Sequence, residues 1–373
     1  MSQGTASETP GPGAPNREEA IHGSAANASQ PTRPDGQDPV KIGLWGPPQS
    51  GKTTYLAALP IAVSDGSTRN GSWIIFPQGT ESRRLKQNFE KLLVEDQRFP
   101  EATVPNAPAS LKWLFVGDLA RSRFDRRKLR RGEMESRFVL DLIDVHGDAY
   151  LHNTETGGDP DKETAADAET ANVASVALDH LAGAQGIIYL FDPIGERDNR
   201  DSAAYVRGTV NELLERAAAN DQRPGRYLPH QVSVCITKFD HPELFHQAQA
   251  MHLVTKGPDG MPRVRDEDAE QFFNELCTGR FWSEHYEAGQ QSAEYVRDQL
   301  RHIFRPDHIR YFVTSSIGFW IEPPSGDKAT TRFNLDDFAN YHDRDGKPAI
   351  KGKVRPINVL EPLISLQQRI AQG

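Results

Sequence analysis

The sequence predicts an α/β domain in which a mostly parallel central sheet is flanked by helices on both faces. Apolar runs of strand length alternate with longer helical patterns, and this alternation is typical of parallel sheets. The first apolar run, residues 40–45, leads directly into a glycine-bounded loop and then into a helical pattern at 53–62. The later strands are predicted at 72–76, 111–116, 137–145, 186–192, 231–236 and 310–314, and the later helices at 81–95, 163–183, 201–218, 266–278, 289–304 and 357–371.

Residues 1–39 are predicted to form a disordered tail, because they are rich in Pro, Gly, Ser, Ala and Asn and contain almost no large apolar side chains. Residues 40–373 are predicted to form one domain. Pro362 is compatible with the last predicted helix if it lies in the first turn. An inserted strand and helix are expected near 72–98, and irregular insertions near 146–165, 255–265 and 319–355.

The net charge of −9 is expected to repel the phosphate backbone of nucleic acids, so no nucleic-acid partner is predicted. Cys235 and Cys277 lie in an apolar run and in a helical pattern, which predicts buried free thiols in a reducing cytoplasm. No apolar run approaches the roughly 18 to 20 residues that span a bilayer, and the N-terminus lacks the apolar core of a secretory signal. We therefore expect a cytoplasmic protein without a transmembrane segment.

Residues 46–53, with the sequence GPPQSGKT, match the phosphate-loop pattern G-x-x-x-x-G-K-[ST]. They follow an apolar strand and open a helix, so their backbone N–H groups and the positive helix end can bind phosphate. Lys52 is predicted to neutralise the β- and γ-phosphates, and the Thr53 hydroxyl to bind Mg²⁺. The predicted nucleotide-binding residues of this segment are Gly46, Gln49, Ser50, Gly51, Lys52, Thr53 and Thr54.

A second pattern, D-x-x-G, ends the apolar run that begins at Phe138. Asp144 stands where the Mg²⁺ of a phosphate-loop protein needs a carboxylate, and the Gly147 amide can meet a γ-phosphate. The pattern alone is weak, because an aspartate followed by a glycine turn commonly ends a strand. Since it follows a matched phosphate loop, we favour the functional interpretation.

The strand at 231–236 leads into Thr237-Lys238-Phe239-Asp240, a T-K-x-D form of the guanine-binding pattern N-K-x-D. One carboxylate can accept hydrogen bonds from both the ring N–H and the exocyclic amine of guanine. Adenine lacks this pair of donors and would leave the carboxylate unpaired, so GTP and GDP are the predicted ligands. The lysine of this motif is expected to lie along the base and to brace the phosphate loop.

A third element follows the last predicted strand. The run 313–316, VTSS, resembles the T-S-A segment whose backbone touches the guanine oxygen, and Ser315 and Ser316 are therefore predicted nucleotide-binding residues. The run would mean little alone. It adds support because it comes third, after the other motifs, at the end of a strand.

These motifs together resemble the Ras-like branch of the P-loop GTPases over residues 40–373. The strand end at 190–193 and the terminal helix at 358–363 are most similar to the bacterial double-GTPase proteins. The resemblance implies a Ras-like P-loop fold and a GTP-binding molecular switch with Mg²⁺ as cofactor. It also implies a role in bacterial signalling or conflict response, with an unidentified protein partner at the switch regions.

Two departures from the family pattern affect the expected chemistry. Asp148 stands where many relatives carry a glutamine that orients the attacking water, so hydrolysis is predicted to be slow. Lys52, Gly147 and Asp148 are the predicted catalytic residues. The threonine of the first switch, a predicted Mg²⁺ ligand, is not fixed by spacing; Thr103 is the candidate and Thr80 its competitor.

Other interpretations stay open. A non-hydrolysing, guanine-nucleotide-bound interaction module is favoured by Asp148 and by the two prolines of the phosphate loop, whereas an ATPase or kinase is disfavoured by the T-K-x-D motif. The basic run 121–131 is either a solvated hairpin loop or a contact for an acidic partner or a membrane. Asp192 is either close to Mg²⁺ or, more simply, a cap at the end of its strand.

Overall fold

The computed structural model describes residues 40–65, 72–101, 109–118, 135–144, 165–200, 202–219, 226–257, 259–278, 281–282, 287–321 and 333–372. The chain from Pro39 to Gly373 forms one compact unit. The predicted tail, residues 1–39, lies outside the described residues, and its disorder stays a prediction.

The strands are β1 (Ile42–Trp45), β2 (Trp73–Pro77), β3 (Ala109–Asp118), β4 (Glu135–Asp144), β5 (Gly186–Phe191), β6 (Gln231–Ile236), β7 (Val254–Lys256), β8 (Pro262–Val264), β9 (Ile309–Val313), β10 (Tyr341–Arg344) and β11 (Lys347–Ile350). The helices are α1 (Lys52–Ser64), α2 (Gly79–Glu90), α3 (Ala165–Ala182), α4 (Pro193–Asn199), α5 (Ser202–Ala219), α6 (Pro242–Ala250), α7 (Asp266–Thr278), α8 (Glu287–Ile303) and α9 (Glu361–Gln372). A π-helical turn, Lys91–Glu95, continues α2, and a 3₁₀ turn, Pro306–His308, precedes β9.

A four-stranded parallel sheet forms the centre of the domain, in the order β1-β5-β6-β9. Leu44 lies opposite Ile188, and Tyr189 lies opposite Val234, which fixes the register of the three strands nearest the phosphate loop. All residues of β5 are buried, as expected for an inner strand covered on both faces. The prediction of a mostly parallel central sheet is confirmed.

A separate antiparallel sheet, β2-β3-β4, carries the D-x-x-G strand. β3 and β4 pair over their full length, with Asp144 opposite Ala109 at one end. β4 lies beside β1, so the strand that ends in Asp144 is a neighbour of the strand that leads into the phosphate loop. The basic run 121–131 connects β3 to β4 and lies outside the described residues.

Two hydrophobic clusters cover the two faces of the parallel sheet. Along β5, Tyr189 and Phe191 belong to the cluster that includes α3, α5, α7 and α8, whereas Ile188 and Leu190 belong to the cluster that includes α1, α9 and the antiparallel sheet. This division follows from the strand geometry, because successive side chains point to opposite faces. The predicted helices on both faces are therefore confirmed.

Both cysteines are buried and free, as predicted. Burial raises the pKa of the Cys235 and Cys277 thiols well above the ordinary value, so neither carries the thiolate that oxidation and metal binding require. Among the described residues, no helix has both the length and the apolar character needed to cross a membrane.

Some elements were missed or placed wrongly from the sequence. The helices α4 and α6 were missed because they are short, with 7 and 9 residues, and periodicity is weak at that length. The last helix begins at Glu361 rather than at 357, because Ile357 pairs with Ser315 instead; this puts Pro362 in the first turn, as required.

Two of the predicted irregular insertions contain regular structure. The segment 255–265 contains most of a hairpin formed by β7 and β8, and 319–355 contains the hairpin β10–β11. In the second hairpin Asp345 and Gly346 have positive φ angles of 58° and 75°, the geometry that a two-residue hairpin turn needs. The Asp-Gly pair was therefore a signal for a hairpin rather than for an irregular loop.

Candidate functional site

A cavity of about 400 Å³ opens at the edge where β1, β5, β6 and β9 end. In parallel α/β sheets this carboxyl edge is where loops and helix N-termini meet, and it commonly holds the ligand. Here the loops that follow all four strands contribute to one cavity. It is lined by Gln49, Ser50, Gly51, Thr54, Phe99, Ile194, Thr237, Lys238, Asp240, His241, Ser316, Ile317, Tyr341 and Pro348.

The phosphate-loop segment wraps around the N-terminus of α1. Gly51 is the N-cap residue, and the Tyr55 amide donates to the Gly51 carbonyl at 2.7 Å to close the first turn. The Lys52 ammonium donates to the carbonyls of Gly46 and Pro47, at 2.7 and 2.8 Å. These contacts hold the lysine across the loop, with the positive end of the helix beside it.

The middle of the loop is a tight turn. The Ser50 amide donates to the Pro47 carbonyl at 3.3 Å, and Gln49 has a φ of 59°, which turns the chain sharply. Ser50 is fully buried, and its hydroxyl has no hydrogen-bond partner among the residues that the structure describes. A buried hydroxyl of this kind can serve an oxygen-rich ligand beside the loop.

Thr237 joins the loops that follow β1, β5 and β6. Its hydroxyl lies 3.3 Å from the Ser50 carbonyl and 3.2 Å from the Phe191 carbonyl, so it can donate to either. The Lys238 ammonium instead forms an ion pair with Asp192. Thr237 therefore braces the phosphate loop, whereas Lys238 forms its ion pair with the end of a neighbouring strand.

Asp192 caps the helix that follows β5. Its carboxylate accepts a hydrogen bond from the Ile194 amide at 3.1 Å, at the N-terminus of α4. Of the two interpretations of this residue, the strand-end cap is the one that the contacts support. The Asp192 carboxylate also forms an ion pair with Lys238, which orients the lysine of the T-K-x-D motif.

Asp240 is the buried acid of the site, with only 5% of its surface exposed. The Ser315 hydroxyl donates to its carboxylate, which joins the T-K-x-D loop to the loop after β9. Burial raises the pKa of Asp240 to about 6, although the hydrogen bond from Ser315 and the charge of Lys238 oppose this shift. The carboxylate is thus short of stabilising partners and suited to a ligand that brings hydrogen-bond donors.

The loop after β9 is held tightly by the chain that precedes α9. The backbones of Ser315 and Ile357 exchange two hydrogen bonds, of 3.0 and 2.8 Å, and the Gly318 amide donates to the Ser315 hydroxyl at 2.8 Å. A side chain at Gly318 would lie 2.0 Å from the Arg355 carbonyl, and φ there is 67°, so only glycine fits. This bracing positions Ser315 against Asp240.

Only some of the predicted Mg²⁺ ligands lie among the residues that the structure describes. Thr53 is the second residue of α1 and is half-buried, and Thr54 lines the cavity. Asp144 is the last residue of β4, beside β1. Thr80 lies exposed in the first turn of α2, and no described contact brings it to the cavity. Thr103, Gly147 and Asp148 lie outside the described residues.

Several cavity residues were missed from the sequence. Ile194 and His241 directly follow motif or strand-end residues, so their positions after β5 and β6 were a usable signal. Phe99 follows the π-helical turn, and Tyr341 and Pro348 belong to the hairpin β10–β11. No pattern in the sequence places these three residues at the cavity, because their position depends on long-range packing.

No protein-family model matches the sequence, and no curated protein matches it. Among solved structures, the chain is similar to the signal recognition particle receptor SRb-GTP/SRX complex from Chaetomium thermophilum, with 15% identity, 77% of this chain and 94% of that chain covered, and a TM-score of 0.31. It is also similar to the G domain of the T. maritima FeoB iron transporter, with 17% identity, 57% and 82% covered, and a TM-score of 0.21.

Both similarities are distant, and the fold is assigned from the strand order and from the loop that joins β1 to α1. At the level of the fold, the expected α/β architecture, with a mostly parallel sheet and a phosphate-loop segment between β1 and α1, is confirmed, and the resemblance to the Ras-like branch stays a prediction. The closer resemblance to the bacterial double-GTPase proteins stays a prediction.

Proposed function

We propose that this chain binds guanine nucleotide in the cavity and acts as a Mg²⁺-dependent GTP switch with slow hydrolysis. One observation carries the proposal: the phosphate loop and the T-K-x-D motif, predicted independently, line the same cavity of about 400 Å³. This volume lies within the usual range for small-molecule sites, about 300 to 1,000 Å³. We infer that the phosphates occupy one end and the base the other.

At the phosphate end, the ligand meets the N-terminus of α1 and the Lys52 ammonium. Phosphate oxygens replace the carbonyls of Gly46 and Pro47 as acceptors for this lysine, which converts a loop contact into a charge-assisted contact. The loop amides and the helix end add positive potential without a further change in the chain.

At the base end, Asp240 accepts hydrogen bonds from the ring N–H and the amine of guanine. Burial raises the pKa of this carboxyl group, and the two guanine donors stabilise its ionised form. The ligand therefore supplies hydrogen-bond donors that the protein does not provide to the carboxylate. Adenine cannot donate in this way and leaves the buried charge unpaired. The proposed selectivity for guanine therefore rests on Asp240.

We propose that Mg²⁺ binds at the phosphate end through the Thr53 hydroxyl and the Asp144 carboxylate. The Thr53 hydroxyl lies in the first turn of α1, one residue after Lys52, and Asp144 ends the strand that lies beside β1. Hydroxyl and carboxylate oxygens are ligands that Mg²⁺ prefers. When bound, the ion supplies positive charge to the phosphates. Thr103 is the proposed switch threonine.

We propose that hydrolysis is slow because Asp148, next to Gly147, replaces the residue that orients water in related proteins. The turnover of purified protein separates a slow GTPase from a non-hydrolysing interaction module. We further propose, from the resemblance alone, a cytoplasmic role in bacterial signalling or conflict response, with a protein partner at the switch regions.

The test is to identify the nucleotide that purifies with the protein, by denaturing it and separating the released nucleotides by ion-exchange chromatography. The nucleotide-free protein is then titrated with GTP, GDP and ATP, each with Mg²⁺ and with EDTA. We expect guanine nucleotide in the extract, a preference for GTP over ATP of orders of magnitude, and tighter GTP binding with Mg²⁺. Equal affinity for ATP and GTP would overturn the proposed base selectivity.

A further inference from the structure

The hairpin β10–β11 contributes to the candidate cavity although it is far in the sequence from all the motifs. Tyr341 and Pro348, one from each strand, line the cavity beside the T-K-x-D residues. Within the hairpin Tyr341 pairs with Ile350, at the end where the two strands join the domain. The site therefore has a wall that the nucleotide-binding motifs do not provide.

The hairpin is fixed to the domain through β11. Ala349 and Ile350 are buried, and the Ile350 amide donates to the Gln97 carbonyl at 2.9 Å. Arg98 forms an isolated β-bridge with Ala349, next to Phe99, which also lines the cavity. The wall is thus attached to the segment that follows the π-helical turn and has a defined position.

Asn340 attaches the hairpin to the loop after β9. It is fully buried, and its side-chain amide donates to the Ile317 carbonyl at 3.0 Å. The Asn340 side-chain oxygen accepts from the Gly352 amide at 2.9 Å, and the Asn340 carbonyl accepts from the Lys351 amide at 3.0 Å. One buried side chain thus holds both ends of the hairpin against a cavity residue.

The ring of Tyr341 lies close to the base-selective residues. It is nearly parallel to the His241 ring, with an angle of 17° and 6.2 Å between the centroids. Tyr341 and Asp240 line the same cavity, and the negative charge of Asp240 adds to the effect of burial in raising the pKa of the Tyr341 hydroxyl. A base that is hydrogen-bonded to Asp240 would therefore lie next to an aromatic surface.

We propose that the β10–β11 hairpin is the outer wall of the base site and that the Tyr341 ring stacks on the bound guanine. This inference rests on the proposed function. Stacking uses the face of a base, which every base has, whereas Asp240 reads the donor groups on the edge. Tyr341 therefore adds affinity, and Asp240 adds selectivity.

The experiment compares Tyr341→Ala and Tyr341→Phe with His342→Ala as the matched control. His342 is the next residue of the same strand, is exposed, and points to the opposite face of the hairpin. Affinity for GTP, GDP and ATP and the melting temperature are measured for the wild type and the three variants.

We expect Tyr341→Ala to weaken GTP and GDP by the same factor, about tenfold to hundredfold, because alanine removes the stacking surface and leaves the phosphate contacts. The ratio of GTP to ATP affinity should stay within a few-fold of the wild type. Tyr341→Phe, which keeps the ring, and His342→Ala should both bind like the wild type.

A second readout separates stacking from a purely structural role. A guanine base stacked on an indole ring quenches the fluorescence of the indole. The tryptophan emission of the Tyr341→Trp variant should therefore fall on addition of GDP, by more than any change in the wild type. Unchanged affinity in Tyr341→Ala overturns the proposal. So does a loss of affinity that only accompanies a lower melting temperature while Tyr341→Trp gives no quenching.

Failure of the proposed function gives a different result. If the wild type binds no guanine nucleotide, the inference about Tyr341 fails with it. If the wild type binds GTP and Asp240→Asn changes the base preference while Tyr341→Ala binds normally, the guanine site stands and only the hairpin wall is rejected.

Discussion

The phosphate side of the cavity is built from consecutive residues and works largely through its backbone, whereas the base side is assembled from separate segments and works through side chains. Among the described residues, residues 49–51 and Thr54 line the first. The second combines Asp240 after β6, Ser315 after β9, and Tyr341 from the hairpin. A local motif can therefore predict these phosphate-loop residues, but it predicts only part of the base side.

The two sides also differ in how well their charged groups are paired when no ligand is bound. Lys52 already donates to two loop carbonyls, so its charge is partly satisfied. Asp240 is buried with an elevated pKa, and among the described side chains its hydrogen-bond donor is Ser315. Thr237 is the link between the sides, since its hydroxyl reaches the Ser50 carbonyl. We expect the two sides to respond separately to substitution.

The largest effect is expected for Lys52→Ala. Loss of the ammonium should weaken GTP and GDP binding by about 2 to 5 kcal/mol, the usual cost of truncating one partner of a buried charge pair. Binding of guanosine, which has no phosphate, should not change. Isothermal titration with the three ligands measures this, with Lys353→Ala as a control because that lysine is exposed and forms an ion pair with Asp65, away from the cavity lining. Loss of guanosine affinity would show that the two sides are coupled.

The second effect is a change of base preference in Asp240→Asn. Xanthine has a carbonyl where guanine has an amine, and the new amide can donate to it, so the variant should favour xanthosine triphosphate over GTP. The wild type should show the opposite order. For GTP the loss should be about 1 to 3 kcal/mol or more, because a charge-assisted pair of hydrogen bonds is removed. Competition binding with the two nucleotides on both proteins decides this. An unchanged order of affinities would show that the T-K-x-D residues form a turn without binding the base.

The same substitution should stabilise the nucleotide-free protein at neutral pH. Burial raises the pKa of Asp240 from 3.8 to about 6, so this residue favours folding below pH 4, and that contribution is lost as the pH rises through 6. The full shift corresponds to roughly 3 kcal/mol, and relaxation of the folded protein should reduce it to about 1 to 2 kcal/mol. Denaturant unfolding of both proteins at pH 7.5 and pH 4.5 measures it. Asp240→Asn should be more stable at pH 7.5, with a smaller difference at pH 4.5; lower stability at pH 7.5 would contradict the assigned burial cost.

The contrast between the two sides also explains what the sequence could predict. The phosphate loop, the strands of the parallel sheet and the T-K-x-D turn depend on neighbours along the chain, so pattern and spacing were sufficient. The position of Tyr341 depends on Asn340, Ala349 and Ile350, which contact segments far away in the sequence. The partner of Lys238 was also unpredictable, because Asp192 belongs to another strand end.

The smallest effect, and the most specific to the base side, is a pH dependence of GTP binding. Guanine binds the ionised form of Asp240, and its donors should lower the pKa of the bound carboxyl below its free value of about 6. Affinity should therefore be constant above about pH 7 and fall by up to about tenfold for each pH unit below 6.

Other groups near Asp240 titrate or carry charge, so the experiment needs a reference. Tyr341 stays neutral throughout this range because burial raises its pKa. His241, whose pKa burial lowers, gains a proton in acid, and the nucleotide phosphates also titrate near pH 6. The Asp240→Asn variant keeps the titration of His241 and of the nucleotide phosphates but lacks the carboxylate. GTP binding from pH 5 to 8 should thus depend on pH more steeply in the wild type than in Asp240→Asn, and equal slopes would show that Asp240 does not bind the base as an anion.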